Sequence, residues 1–345
     1  MRGEGAAFSS SLLVPMELVP KRTTAMAQDI EINQPQLDLQ SGESLRNHTI
    51  RARLYGRAGA PLIIMLGGIS ATRFVAGGSD NTPGWWSALV GENGPVDLNK
   101  VQVLGLDFAP NDQGKAQTIP LSTHDQARRL VAILDHLGIQ KAAAIIGASY
   151  GGMVALAFAK AWPKRVRALC IISASHRPFP LGVAWRGIQR RIVRMAIKAG
   201  RPDEGLALAR ELAMTTYRSA EEFTERFDAA PTGGDPTRFD VCDYLLACGQ
   251  KFTKTMTPER FLALCESIDM HRIDPTGIHT PALLIASRSD QLAPPEEMQI
   301  LCDELAGPSK LVTLDSPFGH DAFLKETRAL GVHLCRFISE IPHDD

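Results

Sequence analysis

The chain has 345 residues, of which 44% are hydrophobic and 22% are charged, and its formal net charge is −1. This composition excludes wholesale disorder, and the length is sufficient to bury one large core together with an inserted subdomain. The near-neutral charge gives no reason to expect nucleic acid or an anionic membrane as a partner. No apolar run is long enough to span a bilayer, so we expect a soluble protein.

The first part of the chain has no regular pattern. Residues 1–27 mix Gly, Ser, Lys and Pro without periodicity, which predicts a disordered N-terminal lead with Met16 or Met26 as alternative starts. The apolar run in this lead is too short for a secretory signal. The six cysteines are scattered and form no C-x-x-C pair, which favours a reducing cytoplasm and indicates neither a zinc site nor a disulfide framework.

Short apolar runs alternate with helical patterns from residue 28 onward. This alternation predicts a mostly parallel, doubly wound sheet with helices on both faces. After residue 177 the pattern is mostly helical until strands resume at residue 281. We therefore predict a core of residues 28–177 and 278–345, with a helical lid inserted at residues 178–277. The strand-like runs are residues 50–55, 61–66, 101–106, 142–146, 168–173, 281–286 and 311–314. Residues 126–137 have a helical pattern that begins near the cap candidates Thr123 and Asp125.

A glycine-rich turn follows the strand-like run at residues 61–66. Taken alone, its sequence GGIS at residues 67–70 is typical of an ordinary turn. The same position can supply a second backbone N–H, that of Ile69, to the oxyanion that forms when a nucleophilic serine further along the chain attacks its substrate. The choice between these interpretations depends on whether such a serine follows.

Ser149 lies at the apex of a second turn. Residues 142–146 break into GASYGG at residues 147–152 and then into an Ala-rich helical pattern. Such a turn lifts the serine Oγ clear of the sheet, and its glycines allow a close backbone approach. The pattern G-x-S-x-G also arises by chance or simply starts a helix. Between a buried strand and a helix it favours an α/β-hydrolase-type site, with the N–H groups of Ile69 and Tyr150 as oxyanion donors.

The partners that this serine needs follow in the order Ser, Asp, His. Asp290 comes just after the run at residues 281–286, and His320 follows the run at residues 311–314. Because catalytic groups in parallel sheets collect beyond the carboxyl ends of strands, we predict that both meet Ser149. His320 then takes the serine proton, and Asp290 orients the imidazole. Alternatively, Asp290 is a helix N-cap and His320 a turn residue.

Several sequence blocks together resemble the homoserine O-acyltransferases of the MetX type. They are GGIS at residues 67–70, PGWW at 83–86, GASYGGM at 147–153, TYRS at 216–219, EF at 222–223, RF at 226–227, SD at 289–290 and GHDAFL at 319–324. They cover nearly the whole chain after the N-terminal lead. The resemblance implies an α/β-hydrolase fold and acyl transfer from an acyl-CoA to the homoserine hydroxyl through an acyl-Ser149 intermediate. It also implies a homodimer formed through the lid.

The resemblance further implies residues that bind the amino acid. Arg218 would hold its carboxylate, a task that suits the planar guanidinium group, and Asp321 would hold its ammonium group. Alternatively, Arg218 is a solvated helix residue and Asp321 a helix cap, although capping and binding can coexist. Tyr150 stands where the family more often has methionine, which keeps the N–H but can reshape the pocket.

The choice of acyl donor depends on Arg186. Acetyl-transferring relatives tend to have a small polar residue there, and the stretch WRGIQR at residues 185–190 looks similar to that of succinyl-transferring members. A succinyl group ends in a carboxylate, so an arginine that faces the pocket favours succinyl-CoA over acetyl-CoA. Alternatively, Arg186 belongs to a basic cluster with Arg190, Arg191 and Arg194 that is solvated or contacts CoA phosphates.

The resemblance therefore implies a homoserine O-succinyltransferase of methionine biosynthesis, with succinyl-CoA as co-substrate and no other cofactor or metal. A homoserine O-acetyltransferase and a serine O-succinyltransferase remain alternatives, since L-serine is only one methylene shorter. An esterase needs the same triad and differs only in admitting water to the acyl-enzyme. A binding module without catalysis is the alternative from another class.

Overall fold

The computed structural model describes residues 27–78, 83–110 and 121–342. Nearly all of the predicted N-terminal lead lies outside these residues. The strands are β1 (Ala27–Asp38), β2 (Ser44–Tyr55), β3 (Leu62–Leu66), β4 (Val90–Gly91), β5 (Val96–Asp97), β6 (Gln102–Leu106), β7 (Ala142–Ala148), β8 (Val166–Ile172), β9 (Ala282–Ser287) and β10 (Ser309–Leu314). The α-helices are α1 (Thr123–His136), α2 (Tyr150–Ala161), α3 (Pro180–Lys198), α4 (Pro202–Tyr217), α5 (Ala220–Arg226), α6 (Asp240–Phe252), α7 (Pro258–Met270), α8 (Pro295–Glu304), α9 (Ala322–Lys325) and α10 (Thr327–Ser339).

Eight of the strands form one sheet, in the order β1-β2-β6-β3-β7-β8-β9-β10. The pairs β1–β2 and β2–β6 are antiparallel, and the other neighbouring pairs of this sheet are parallel. The predicted mostly parallel sheet is therefore confirmed. Every residue of β3 and β7 is buried, as expected for strands that helices cover on both faces.

Strand β1 is one of the elements that the sequence pattern did not predict. It begins at Ala27, the last residue assigned to the disordered lead, and pairs along its length with β2. Only Ile30 and Leu37 of this edge strand are buried. A strand with so few buried positions has almost no period-two apolar signal, which explains why it was missed.

Helix α1 begins at Thr123, near the start that the cap candidates Thr123 and Asp125 indicated. Ser122 is its N-cap, and the Ser122 Oγ accepts a hydrogen bond from the Asp125 N–H at 3.2 Å. The Asp125 carboxylate in turn accepts the Ser122 N–H at 2.8 Å. This capping box satisfies N–H groups of the first turn, so the helix starts at Thr123 rather than at the first periodic apolar residue.

Helices α3 to α7 lie between β8 and β9, and we refer to them as the lid. Helix α3 packs on α4 and α7, and α4 packs on α6. The α3–α4 contact is close, because a Cβ on Gly205 would lie 2.2 Å from the Ala196 Cβ. Where the chain leaves and re-enters the core, the Ile273 N–H donates to the His176 carbonyl at 2.9 Å. In the described ranges, no helix is both long and apolar enough to cross a membrane.

Candidate active site

Ser149 lies between β7 and α2 in a strained turn. Its φ is 54°, a left-handed conformation that costs a non-glycine residue about 1–3 kcal/mol. The surrounding glycines make the turn possible. A Cβ on Gly147 would lie 2.4 Å from the Gly151 carbonyl oxygen, and one on Gly151 would lie 2.4 Å from the Leu66 carbonyl oxygen. The sequence therefore builds a turn that only these glycines allow and that presents the serine side chain beyond the sheet.

The structure brings Ser149, His320 and Asp290 together in one hydrogen-bonded chain. The Ser149 Oγ lies 2.7 Å from His320 Nε2, and His320 Nδ1 lies 2.8 Å from Asp290 Oδ2. With the proton on Nδ1, the imidazole donates to Asp290, and Nε2 is free to accept the serine proton. The other oxygen of Asp290 accepts the N–H groups of Leu292 and Ala293 at 2.8 and 3.0 Å. Asp290 thus orients the histidine, and its loop holds the carboxylate in place.

Burial and charge act in opposite directions on His320. Burial alone lowers its pKa, because it disfavours the imidazolium form. The charge of Asp290 and the hydrogen bond to it raise the pKa, and Asp321 adds to this effect. The net result is a pKa above the usual 6.5 for histidine. The site therefore stabilises the imidazolium that forms when the serine attacks.

The histidine loop lies directly against the lid. Gly319 has a φ of 57°, and a Cβ there would lie 2.4 Å from the Tyr217 carbonyl oxygen at the end of α4. The Gly319 N–H donates to the Ser289 Oγ at 3.0 Å, which ties this loop to the strand end that carries Asp290. The catalytic base is thus held between core and lid.

The turn after β3 lies beside the nucleophile, as an oxyanion hole requires. The Gly151 N–H donates to the Gly67 carbonyl at 2.9 Å, and a Cβ on Gly68 would lie 4.0 Å from the Ser149 Oγ. Ile69 and Tyr150 both line the cavity in front of the serine. Their N–H groups remain the predicted oxyanion donors.

A cavity of about 200 Å³ opens above Ser149 and His320. The core contributes apolar residues such as Trp85 and Phe323 to its wall, and the lid contributes Trp185 and Ile268. Fewer acidic and basic residues than apolar ones line the wall, namely Arg186, Arg210, Asp321 and the catalytic His320. A mostly apolar chamber with a few charged groups is typical of a small-molecule site.

Arg186 lines this cavity from α3. Its Nε donates to the Asp269 carboxylate at 2.6 Å, and Arg190 pairs with the same carboxylate. Within the described part of the chain, the buried Nη2 of Arg186 has no hydrogen-bond partner. A buried N–H without an acceptor is costly, so this group is suited to bind an anionic ligand.

The structure does not bring Arg218 to the cavity wall. Its guanidinium pairs with Glu222, and its Nε lies 3.1 Å from an oxygen of Asp321. Asp321 itself lines the cavity. Arg218 therefore lies behind Asp321, where both of its ionic partners are residues of this chain.

Arg210 is the cavity residue that the sequence analysis missed. Its guanidinium lies over the rings of Tyr217 and Phe252, 5.2 and 4.8 Å from their centroids. Among the described residues, no carboxylate pairs with it. It precedes Tyr217 by about two turns of α4, so both side chains lie on one helix face. That spacing is the signal that could have pointed to Arg210.

Comparisons with known proteins agree with this geometry. The family model described as alpha/beta hydrolase fold matches residues 61–327, and the chain belongs to this family. A homoserine O-succinyltransferase from Xanthomonas campestris pv. campestris is 39% identical over 283 residues, which cover 81% of this chain and 76% of the relative. A serine O-succinyltransferase from Xylella fastidiosa is 30% identical over 88% of this chain and 95% of its own length. The resemblance to the homoserine O-acyltransferases is thereby confirmed.

Solved structures support the fold. A homoserine O-acetyltransferase from Bacillus anthracis superposes with a TM-score of 0.82 at 16% identity, covering 93% of this chain and 100% of that one. Esterase E22 superposes with a TM-score of 0.80 at 19% identity, covering 91% of this chain and 100% of that one. Because a transferase and an esterase share this architecture, the fold alone does not choose between transfer and hydrolysis.

Proposed function

We propose that the chain is a homoserine O-succinyltransferase that works through an acyl-Ser149 intermediate. The observation that carries the proposal is that Arg186 lines the same cavity as the triad, and that its buried Nη2 has no hydrogen-bond partner among the described residues. The 39% identity to a homoserine O-succinyltransferase supports it. Succinyl-CoA is the co-substrate, and the two half-reactions need only proton transfer and nucleophilic attack, without another cofactor.

In the first half-reaction, Ser149 attacks the thioester of succinyl-CoA. The Oγ proton passes to His320 Nε2, across the 2.7 Å hydrogen bond, while the Oγ bonds to the thioester carbon. The N–H groups of Ile69 and Tyr150 stabilise the oxyanion. The carbon–sulfur bond then breaks, His320 returns the proton to the sulfur, and CoA leaves as a thiol. The succinyl group remains on Ser149 as an ester.

In the second half-reaction, the homoserine hydroxyl takes the place of the departing thiol. His320 accepts its proton, the hydroxyl oxygen attacks the ester carbon, and the same donors stabilise the oxyanion. Ser149 leaves and regains its proton from His320, which releases the succinyl ester of homoserine. Asp290, 2.8 Å from Nδ1, stabilises the imidazolium in both half-reactions.

The donor carboxylate binds Arg186 in this proposal. The guanidinium is held at Nε by Asp269, so its buried Nη2 is oriented before the ligand arrives. A charge-assisted hydrogen bond of this kind contributes about 1.5–3 kcal/mol. Acetyl-CoA lacks the carboxylate and gains nothing from it.

For the acceptor, Arg210 replaces Arg218 as the residue that holds the homoserine carboxylate. Arg210 lines the cavity and has no carboxylate partner in the described residues, whereas Arg218 already pairs with Glu222 and Asp321. Asp321 holds the ammonium group. Arg218 acts through Asp321 and positions its carboxylate.

A donor-by-acceptor matrix tests this proposal. Succinyl-CoA and acetyl-CoA are each offered with L-homoserine, with L-serine and with water alone, and CoA release and ester formation are measured. We expect the pair succinyl-CoA and homoserine to have the highest kcat/KM. Faster transfer to serine would support a serine O-succinyltransferase. Preference for acetyl-CoA would support a homoserine O-acetyltransferase, and CoA release that is independent of any acceptor would support an esterase.

We further propose that two copies of the chain associate through the lid. The large apolar side chains of Leu181, Ile188 and Met195 on α3 are 44%, 49% and 67% exposed. They recur about every two turns, so they form one apolar stripe of the kind found at interfaces. We expect a dimer in sedimentation that Ile188→Arg converts to monomer. A monomeric wild type would contradict this.

The proposed location is the cytoplasm. All six cysteines lie in the described residues and are unpaired. Free thiols are expected in a reducing compartment. Fractionation of cells that produce the tagged chain tests the location.

A further inference from the structure

The side chain of Tyr150 joins the nucleophile turn to the lid. Its ring packs edge-on against Phe108, with centroids 4.8 Å apart, and its hydroxyl lies 2.7 Å from the Ser267 Oγ. Tyr150 and Ser267 are each only 1% exposed. Burial raises the pKa of Tyr150 to about 12, so the phenol keeps its proton and the hydrogen bond is independent of pH over the neutral range.

Ser267 belongs to α7, the helix whose Asp269 pairs with Arg186 of α3. Asp269 lies two positions further along the chain and pairs with both Arg186 and Arg190. Cys265 and Ile268 of the same helix line the cavity. Helix α7 therefore connects the turn that carries Ser149 to the guanidinium on the far side of the cavity.

We propose that the Tyr150 phenol is a positioning residue for the acyl donor, because it holds α7 against the nucleophile turn and so fixes the distance from Ser149 to Arg186. This inference rests on the proposed binding of the donor carboxylate by Arg186. A succinyl chain has a fixed reach between its thioester carbon and its carboxylate. A displacement of the guanidinium by about 1 Å therefore weakens succinyl-CoA selectively, since acetyl-CoA makes no contact there.

Tyr150→Phe removes only the phenol oxygen and keeps the ring and the backbone N–H. The buried Ser267 hydroxyl then lacks its partner, and α7 can move to satisfy it elsewhere. We expect Tyr150→Phe to lower kcat/KM for succinyl-CoA about tenfold more than kcat/KM for acetyl-CoA. Ser267→Ala, which removes the other half of the hydrogen bond, is expected to shift the donor ratio in the same direction.

Tyr55→Phe is the matched control. It removes the hydroxyl of another fully buried tyrosine, whose partner is the Arg73 carbonyl at 3.4 Å in the core. In any of these variants, a general loss of stability would lower kcat/KM for succinyl-CoA and for acetyl-CoA by the same factor. The expected result is an unchanged donor ratio for Tyr55→Phe.

A double-mutant cycle with Arg186→Asn completes the test. If Tyr150 acts through Arg186, Tyr150→Phe changes the donor ratio in the wild type and has no further effect in the Arg186→Asn background. The inference is overturned if Tyr150→Phe has equal effects on the donor ratio in both backgrounds, or if neither Tyr150→Phe nor Ser267→Ala shifts that ratio. The proposed donor binding still stands in that case, provided that Arg186→Asn changes the ratio. If Arg186→Asn itself leaves the ratio unchanged, the proposed donor binding is wrong and this inference falls with it.

Discussion

The sheet and the lid hold their functional groups in different ways. In the core, all of β7 is buried, and the turn of Ser149 is fixed by backbone contacts that admit only glycine. In the lid, α3 has Gly182, Gln189 and Val193 as its buried residues, and Arg186 and Arg190 are held by ion pairs to Asp269 of α7. The groups that make and break bonds are therefore rigidly built, whereas the groups that recognise substrates depend on pairs of side chains.

This difference predicts two kinds of variant. Substitutions in the core triad should stop both half-reactions together, because the same atoms serve each of them. Substitutions in the lid should separate donor from acceptor, since different residues bind the two. A lid variant that damaged both half-reactions equally would remove the distinction.

The largest effect is expected for Ser149→Ala. Transfer should fall on the order of 10⁶-fold, and the acyl adduct formed with donor alone should disappear from the intact mass spectrum. His320→Ala should be nearly as severe, and the double variant no worse than either. Ser309→Ala, which removes a hydroxyl on β10 that donates to the Cys302 carbonyl of α8, serves as control and should retain activity. An adduct that survives in Ser149→Ala would refute the assigned nucleophile.

The next effect concerns the charge of Asp290. Because His320 must be neutral to accept the serine proton, acylation should rise with pH through a midpoint above 6.5, in line with the raised pKa. Asp290→Asn removes the charge that raises this pKa, so the midpoint should move to lower pH. The rate should also fall by about 10³–10⁴-fold. The pH profile of acyl-enzyme formation measures both, and an unchanged midpoint would exclude Asp290 as the partner of His320.

A smaller effect is expected at the acceptor site. Arg210→Ala should raise KM for homoserine by about 10–100-fold and leave acylation by the donor unchanged, since the carboxylate is bound only in the second half-reaction. Rapid-quench measurement of the two half-reactions separates these effects.

Arg218→Ala is the informative comparison. It leaves the buried Glu222 without its partner, so the free energy of unfolding should fall by about 3–5 kcal/mol in urea denaturation. Arg210 has no such partner among the described residues, so Arg210→Ala should lower the free energy of unfolding by less. If Arg218→Ala were fully stable and Arg210→Ala bound homoserine normally, Arg218 would be the carboxylate ligand after all.

The last effect is a change of donor preference rather than a loss of activity. Arg186→Asn should lower kcat/KM for succinyl-CoA by about 10–100-fold and leave acetyl-CoA unchanged or improved. Arg201→Asn, at an exposed arginine paired with Glu204 between α3 and α4, is the control. If kcat/KM fell equally for both donors, Arg186 would instead bind the CoA portion that they share or stabilise the lid.

The core and its chemistry could be predicted from sequence because they depend on local patterns. Buried parallel strands are continuous apolar runs, and the groups at their carboxyl ends meet whatever their separation in sequence. Strand β1 lacked such a run. The capping box of α1 moved a helix start that apolar periodicity alone places later.

The acceptor site could not be assigned in the same way. Helix α4 ends at Tyr217, and Arg218 is its C-cap in an extended conformation, so helical periodicity says nothing of where that side chain points. Arg210 is still inside the helix and shares a face with Tyr217. The partner of Arg186 was equally hidden, since Asp269 is 83 residues away in sequence and only the packing of α3 on α7 brings them together.

The contact of Gly319 with the Tyr217 carbonyl has a consequence for protein engineering. Lids of related enzymes are attractive parts to exchange, because they carry the recognition residues and are inserted at one place in the sheet. The 2.4 Å between the Tyr217 oxygen and a Cβ on Gly319 leaves no room for a different path of the grafted chain. A chimaera should therefore keep the segment from Tyr217 to Ser219 from the recipient and take the remaining helices from the donor. Grafts that replace this segment should displace His320 and lose activity even when every substrate contact has been copied.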